Sequence, residues 1–387
     1  MISEPVGGNR LTLLRSGVEY FPALEEAIRA AQKEVFLEAY IYADDDSARR
    51  ITEALIAASG RGIVVHVLVD GFGSRDLMPP ELRERLLSAG VRFLVYRPEV
   101  RWFHFRRRRL RRMHRKMVVV DGRVGFVGGI NIIDDMNTPG HMPPRYDFAV
   151  RVEGPLVADM QEQVEKLWSL VAWVRLRRRW RATHHLAYDA RPAGTQQAAL
   201  LVRDNVRHRS DIENAYLQAM REARREIVLA NAYFFPGKRF RRALVDAARR
   251  GVRVVLLLQG RVEYVLLHYA SRALYGMLLD AGVEIHEYQR SFLHAKVAVI
   301  DGRWSTVGSS NIDPFSLMLA REANVVVLDR EFAAELRSTL QQAIEQEARV
   351  VPKARWDRQP LAQRVLIWIG YAAVRLLMGV FGYAGKH

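Results

Sequence analysis

Two stretches of this chain carry the same chemically capable residues at the same spacing. In "MHRKMVVVDGRVGFVGGIN", counting from His114, Lys116 is at +2, Asp121 at +7, Gly128 at +14 and Asn131 at +17. In "LHAKVAVIDGRWSTVGSSN", Lys296, Asp301, Gly308 and Asn311 stand at the same offsets from His294. An imidazole, an ammonium and an amide together suit a phosphoryl group: Lys and Asn hold its oxygens while His acts on phosphorus or on a proton. Two such trios around one phosphate would let one histidine attack while the other protonates the departing alcohol. That second histidine would then deprotonate the incoming nucleophile. This chemistry needs no metal or cofactor, and no His/Asp/Glu cluster has the spacing of a ligand set.

Strand geometry explains how each trio assembles. Residues i and i+2 of a strand share a face, so His114 projects with Lys116 and His294 with Lys296. Asp121-Gly122 and Asp301-Gly302 are hairpin turn signals. Folding back around them brings Gly129 to Asn131 opposite His114, and Ser309 to Asn311 opposite His294, with small Gly129 and Ser309 leaving space for the phosphate. Asp121 and Asp301 complete the repeated motif and count with its catalytic set, yet alternation turns them away from the histidine face toward a hairpin-fixing role. A working histidine needs a carboxylate on its other ring nitrogen. Each half offers one on a following strand, Asp147 in "RYDFAVRVEG" and Glu322 in "REANVVVLD".

The duplication runs through the chain. "EVFLEAYIY" from Glu34 matches "EIVLANAYF" from Glu226, "GIVVHVLVDG" matches "GVRVVLLLQG", and "LLSAGVRFLVY" matches "LLDAGVEIHEY". Each half reads strand, helix, strand, helix, strand, hairpin, which predicts a pair of pseudo-twofold α/β sandwich domains with the site at their interface. The expected divisions are 1–182, a linker at 183–197, a second domain at 198–352 and a tail at 353–387. The offset between halves falls from 192 at Tyr96/Tyr288 to 180 at the histidines, so twelve extra residues lie within 97–113. From Arg101 to Lys116 there are eight Arg, one Lys and no acid, with Trp102, Phe103 and Phe105 among them. "WVRLRRRWR" from Trp173 is a second cluster of this kind.

A net charge of +16, with 49% hydrophobic residues, implies a folded protein with an anionic partner, nucleic acid or an acidic membrane. There is no cysteine, which excludes disulfides and thiolate metal sites. "MISEPVGGNRLTLL" lacks a charged segment followed by an apolar core, so no secretory leader is expected. In the tail "RVLIWIGYAAVRLLMGVFGYAGK", Arg364, Arg375 and Lys386 are spaced by eleven and share one helical stripe. An interfacial anchor is the favoured reading. A membrane span, which puts Arg375 near the bilayer centre at a penalty of roughly 2.5–3.5 kcal/mol, and a helix packed on the domain are the alternatives.

The doubled His-x-Lys-x4-Asp pattern with Gly-Gly/Ser-x-Asn resembles the phospholipase D superfamily over Leu13 to Arg330. The resemblance implies two-step transfer through a phosphohistidine without metal, with His114, Lys116, Asn131, His294, Lys296 and Asn311 at the site. It also implies that Asp147 and Glu322 support the histidines and that His114 is the nucleophile. "HRKMVVVDGRVGFVGGINI" followed by "RYDFAVRVEGPLV" is similar to the short bacterial cardiolipin synthases, although "DDM" at 134–136 stands where many relatives carry Asp-Glu-Tyr. Such enzymes pass a phosphatidyl group to a headgroup hydroxyl of phosphatidylglycerol at the cytoplasmic side of the inner membrane, as peripheral or monotopic proteins. Arg106, Arg107, Arg108, Arg109 and Arg375 are then the expected contacts to an anionic phospholipid membrane, and nucleic acid is not expected as a partner. A hydrolase or a nucleic-acid phosphodiesterase of the same superfamily is the alternative, and the apolar tail argues against the nuclease.

Overall fold

The computed structural model describes residues 4–98, 111–138, 140–180, 182, 191–204, 208–261, 265–313 and 320–380. The basic insertion at Arg106 to Arg109 and the linker from 183 to 190 lie outside the described residues. The first half runs β1 (Val6–Arg15), α1 (Ser16–Ala30), β2 (Glu34–Ala39), α2 (Asp46–Gly60), β3 (Val64–Asp70), α3 (Pro80–Ser88) and β4 (Arg92–Tyr96). It continues with β5 (Arg112–Met113), β6 (Lys116–Val120), β7 (Val124–Gly128), β8 (Arg145–Tyr146), β9 (Phe148–Glu153) and α4 (Leu156–Val174). The second half runs β10 (Gln196–Arg203), α5 (Asp211–Glu222), β11 (Glu226–Asn231), α6 (Lys238–Arg249), β12 (Arg253–Gln259), α7 (Val265–Arg272) and α8 (Tyr275–Asp280). Then come β13 (Glu284–Tyr288), β14 (Phe292–Leu293), β15 (Lys296–Ile300), β16 (Trp304–Gly308), β17 (Ala320–Leu328), α9 (Arg330–Glu347) and β18 (Ala348–Val350). The tail forms α10 (Lys353–Asp357) and α11 (Leu361–Val380).

The halves share one sheet rather than forming two separate ones. Its order is β18-β13-β12-β11-β15-β16-β17-β10-β1-β9-β7-β6-β2-β3-β4. Outward from the antiparallel β1–β10 pair, each half repeats the same strand sequence, so the pseudo-twofold axis passes between those strands. The expected linker therefore ends early, because Gln196 and Gln197 already belong to β10. Strands such as β6 (KMVVV) and β15 (KVAVI) are buried along their whole length because helices cover both faces of the sheet. On one face a core common to both halves joins Val164 and Trp168 of α4 to Leu336 and Leu340 of α9. On the other, α1 and α2 cover the first half and α5 and α6 the second, each over its own core.

The tail helix packs on the second half while keeping an apolar outer face. α11 lies along α7, burying Ile367, Gly370 and Val374, at the i, i+3, i+7 spacing of one helical face. Gly370 permits the approach: a Cβ there would stand 2.8 Å from Tyr269 Cβ. Its other faces stay apolar and exposed at Leu361, Val365, Leu366, Trp368, Ile369 and Leu376. Among the described residues no helix is long and apolar enough to cross a membrane.

Candidate active site

Each motif histidine follows a two-residue strand that crosses to the opposite half. β5 pairs in parallel with β17, Arg112 opposite Ala320 and Met113 opposite Arg321, and His114 N donates to Arg321 O at 2.9 Å. In the same way β14 pairs with β8, Phe292 opposite Arg145 and Leu293 opposite Tyr146, and His294 N donates to Tyr146 O at 2.8 Å. The next residue along each partner strand is the carboxylate. His114 Nδ1 thus lies 3.0 and 3.1 Å from the two Glu322 oxygens, and His294 Nδ1 lies 2.6 Å from Asp147 Oδ2. The sequence suggests pairing within each half, whereas the structure exchanges the acids. Closing the halves about the pseudo-twofold axis brings each short strand against the far half.

The exchange fixes the tautomer. With Nδ1–H donating to a carboxylate, Nε2 keeps its lone pair, which is the form that can attack phosphorus or take a proton. Lys296 Nζ is 2.9 Å from His294 Nδ1, but a protonated Nδ1 has no lone pair to offer. The ammonium instead donates to His294 O and faces Asp147 Oδ2 at 3.7 Å. Lys116 Nζ donates to His114 O at 2.5 Å and sits over the Tyr40 ring, 5.2 Å from its centroid.

Burial governs the charges of this cluster. Lys296 and Glu322 are fully enclosed, Asp147 is 1% exposed and Lys116 3%. Burial lowers the His114 pKa despite the opposing pull of Glu322. His294 falls well below the ordinary histidine value, through burial first and then the cations Lys296 and Arg145. Both shifts favour the neutral imidazole. Burial also raises the Asp147 carboxyl and pulls Lys116 down to about 7.

The remaining motif residues divide. Asn131 Oδ1 accepts from Ile41 N at 3.0 Å, so its N–H pair is the end left for an anion. Asn311 is buried at the corresponding place. Gly129 and Ser309 serve the carboxylates rather than a phosphate. A Cβ on Gly129 would collide with the Asp147 carboxylate, and the Ser309 hydroxyl donates to Glu322 Oε2. Asp121 and Asp301 are not catalytic. Asp121 accepts from the backbone N–H of Gln32, Lys33 and Glu34 at 2.8 to 2.9 Å, and Asp301 from those of Arg224, Arg225 and Glu226 at the same distances. Both take left-handed backbone (φ 54°) before a glycine at φ 63°, as a primed hairpin turn demands. Each ties its hairpin to the start of the neighbouring strand and so sets where His and Lys emerge.

Three residues near the site escaped the sequence reading. Tyr40 meets His114 edge-on, with ring centroids 4.7 Å apart. Arg115, between the motif His and Lys, is buried on the opposite strand face, where Nη2 bonds Glu38 Oε1 at 2.7 Å and Gln163 O at 2.8 Å. Glu38, an acid in the middle of an apolar strand run, was the available signal for that pair. Arg145, whose charge reaches His294, stacks on Phe292 at 5.4 Å and had no such signal. Among the described residues no group of three His, Asp or Glu side chains is placed to hold a metal ion.

A family model described as "Cardiolipin synthase, PLD-like domain" matches residues 24–168 and 216–344, one match per half. The chain belongs to the cardiolipin synthase family of phospholipase D-like enzymes. It is 44% identical over 355 residues to cardiolipin synthase B of Escherichia coli K12, covering 90% of this chain and 85% of that protein. It is 31% identical over 341 residues to cardiolipin synthase A of Pseudomonas fluorescens, covering 87% and 68%. The fold matches a crystal structure of phosphatidylserine synthase from Haemophilus influenzae at a TM-score of 0.73 and 13% identity, over 98% and 96% of the two chains. As a member of the cardiolipin synthase family, the chain is a phosphatidyltransferase that uses phospholipid substrates.

The Lys116 shift gives a pH signature. In the free enzyme its ammonium is lost as pH rises through about 7, whereas a bound phosphate anion favours the charged form. We expect kcat/KM for phosphatidylglycerol to fall above about pH 7, with the corresponding limb in kcat displaced to higher pH. Coincident limbs in the two profiles would show that Lys116 does not meet the phosphate.

Proposed function

We propose that this enzyme makes cardiolipin by moving a phosphatidyl group through a phosphohistidine to the headgroup hydroxyl of phosphatidylglycerol. The observation that carries this reading is the pair of exchanged, carboxylate-backed histidines, each beside a buried lysine. In the first step Nε2 of His114 attacks phosphorus, forming a P–N bond as the P–O bond to the donor's leaving alcohol breaks, and His294 gives that alcohol its proton. In the second, His294 takes the proton of the incoming hydroxyl, whose oxygen displaces His114 from phosphorus. The order His114 then His294 follows the superfamily resemblance. Either order needs the bound phosphate's negative charge to raise the pKa of the histidine acting as acid. Incubation with phosphatidylglycerol vesicles, with and without phosphatidylethanolamine and with a chelator present, followed by lipid mass spectrometry, tests the reading. Cardiolipin is expected. Phosphatidic acid alone would make the enzyme a hydrolase, and cleavage of an oligonucleotide in place of lipid would make it a nuclease.

The enzyme would work peripherally at the cytoplasmic face of a bacterial inner membrane. Support comes from the apolar outer face of α11 and from Leu170, Trp173, Val174 and Leu176, all exposed around the end of α4, where Leu170 and Val174 share a pocket with Arg97 and Pro98. Deleting the tail would also strip the cover from α7, so point changes on the outer face are the cleaner probe. Val365, Ile369 and Leu376 changed together to Ser should weaken vesicle binding roughly a hundredfold at every salt concentration. Arg106 to Arg109 changed to Gln should weaken it mainly at low salt. Unchanged binding by both variants in a sedimentation assay would exclude this membrane face.

A further inference from the structure

The duplication supplies an internal comparison for a surface away from the histidines. α6 lies 192 residues after α2, at the corresponding place in the second half. In the first half Arg49 pairs with Asp44 at 2.7 Å and with Asp46 at 3.6 Å, Arg50 pairs with Glu25 at 2.6 Å, and Glu53 pairs with Arg85. The second half keeps the arginines, as Arg241 and Arg242, but the four acids are replaced by Pro236, Lys238, Leu217 and Val245. Lys238, Arg241, Arg242 and Arg249 fall on one stripe of α6, while Phe240, Leu244 and Ala247 bury the opposite face. None of these four cations has an ion pair or side-chain hydrogen bond among the described residues. Like charges three and four apart on a helix repel, so the fold gains nothing from the stripe by itself.

The stripe lines a groove of about 1190 Å³ whose facing wall includes Arg364, Ile367 and Trp368 of α11. Arg364 is likewise unpaired among the described residues. Asp246, Asp280 and Asp357 also line the groove, and Asp280 is already held by Lys353 at 2.7 Å. Cations therefore meet an indole and an isoleucine across one groove, on the helix whose outer face is apolar. A sugar–phosphate backbone has no use for that apolar wall, whereas the glycerol and first methylenes beside a lipid phosphate do.

We propose that this groove binds the headgroup phosphodiester of an anionic membrane phospholipid, at a site separate from the catalytic histidines. The proposal builds on the membrane reading above and adds a lipid that is held rather than turned over. Binding is measured in a full-length His114→Asn background, so that no covalent adduct forms and no lipid is consumed, on phosphatidylcholine vesicles with and without phosphatidylglycerol. Arg241, Arg242 and Arg249 changed together to Gln should lose roughly a hundredfold in affinity for the anionic vesicles and nothing for the neutral ones. Arg242→Gln alone, a gentler change at an exposed residue, should lose roughly fivefold. Arg29, Arg49 and Arg50 changed to Gln on α1 and α2, each paired to an acid, serve as the charge-matched control, with little expected loss. Equal loss in that control would mean unspecific attraction and overturn the proposal, as would no loss in the α6 variants. Full competition by free glycerol phosphate would assign the groove to a soluble phosphate ester, and loss of oligonucleotide binding alone would assign it to nucleic acid; either result overturns the proposal. Turnover of short-chain phosphatidylglycerol in detergent micelles separates the two readings. With His114 restored, the triple variant should retain it, whereas its absence from the unmodified enzyme would count against the catalytic account and leave the groove untouched.

Discussion

Asparagine in place of His114 or of His294 lowers cardiolipin formation by roughly 10⁴-fold or more, about 5 kcal/mol of barrier. The size follows from the division of labour. One imidazole forms the covalent bond, the other moves the proton at both steps, and among the described residues no neighbouring side chain can take over either task. Lys116 and Lys296 are tethered to the carbonyls of their own motif histidines. Tyr40 presents a ring edge rather than a base. Both variants should fold, because Asn keeps the backbone N–H that donates to Arg321 O or Tyr146 O. Substantial turnover by either variant, with unchanged product, would remove that histidine from the mechanism.

Asp147→Asn and Glu322→Gln lower kcat by roughly 10³ to 10⁴-fold, because an amide no longer selects the Nδ1–H tautomer or stabilises the imidazolium that forms. These are positioning residues, so rate alone does not establish their role. The exchange makes a sharper demand. In nitrogen-resolved NMR, Asp147→Asn should disturb the tautomer and titration of His294 and leave His114 as it was. Glu322→Gln should do the reverse. The opposite pattern would restore pairing within each half and contradict the exchanged geometry. Asp147→Asn also leaves buried Lys296 without its carboxylate, so some loss of stability accompanies it.

The duplication was legible because strand runs and Asp-Gly turns are local signals. Asp121 and Asp301 show the strength of that reasoning: alternation turned them from the histidines, and each holds three backbone N–H groups instead. What sequence could not reveal was which acid serves which histidine. That is decided by β5 meeting β17 and β14 meeting β8, contacts between segments about 150 to 210 residues apart whose register depends on how the halves close. Gly129 and Ser309 were read as room for a phosphate because small residues beside a motif look alike, whichever group fills the space. The tail's apolar pattern was equally ambiguous. Ile367, Gly370 and Val374 match α7 only once Tyr269 is known to stand opposite Gly370. Arg115 was missed because its partner Glu38 lies on another strand.

The central claim is a covalent bond between a motif histidine and the phosphatidyl group. The most direct test mixes the enzyme with phosphatidylglycerol, quenches in alkali during turnover, since P–N bonds are acid-labile, and maps the adduct by mass spectrometry. The account predicts a phosphatidyl adduct on His114, absent from His114→Asn and retained in His294→Asn. An adduct on His294 in its place would reverse the two roles while keeping the pair. Cardiolipin formed at full rate with no histidine adduct at any time would contradict the account.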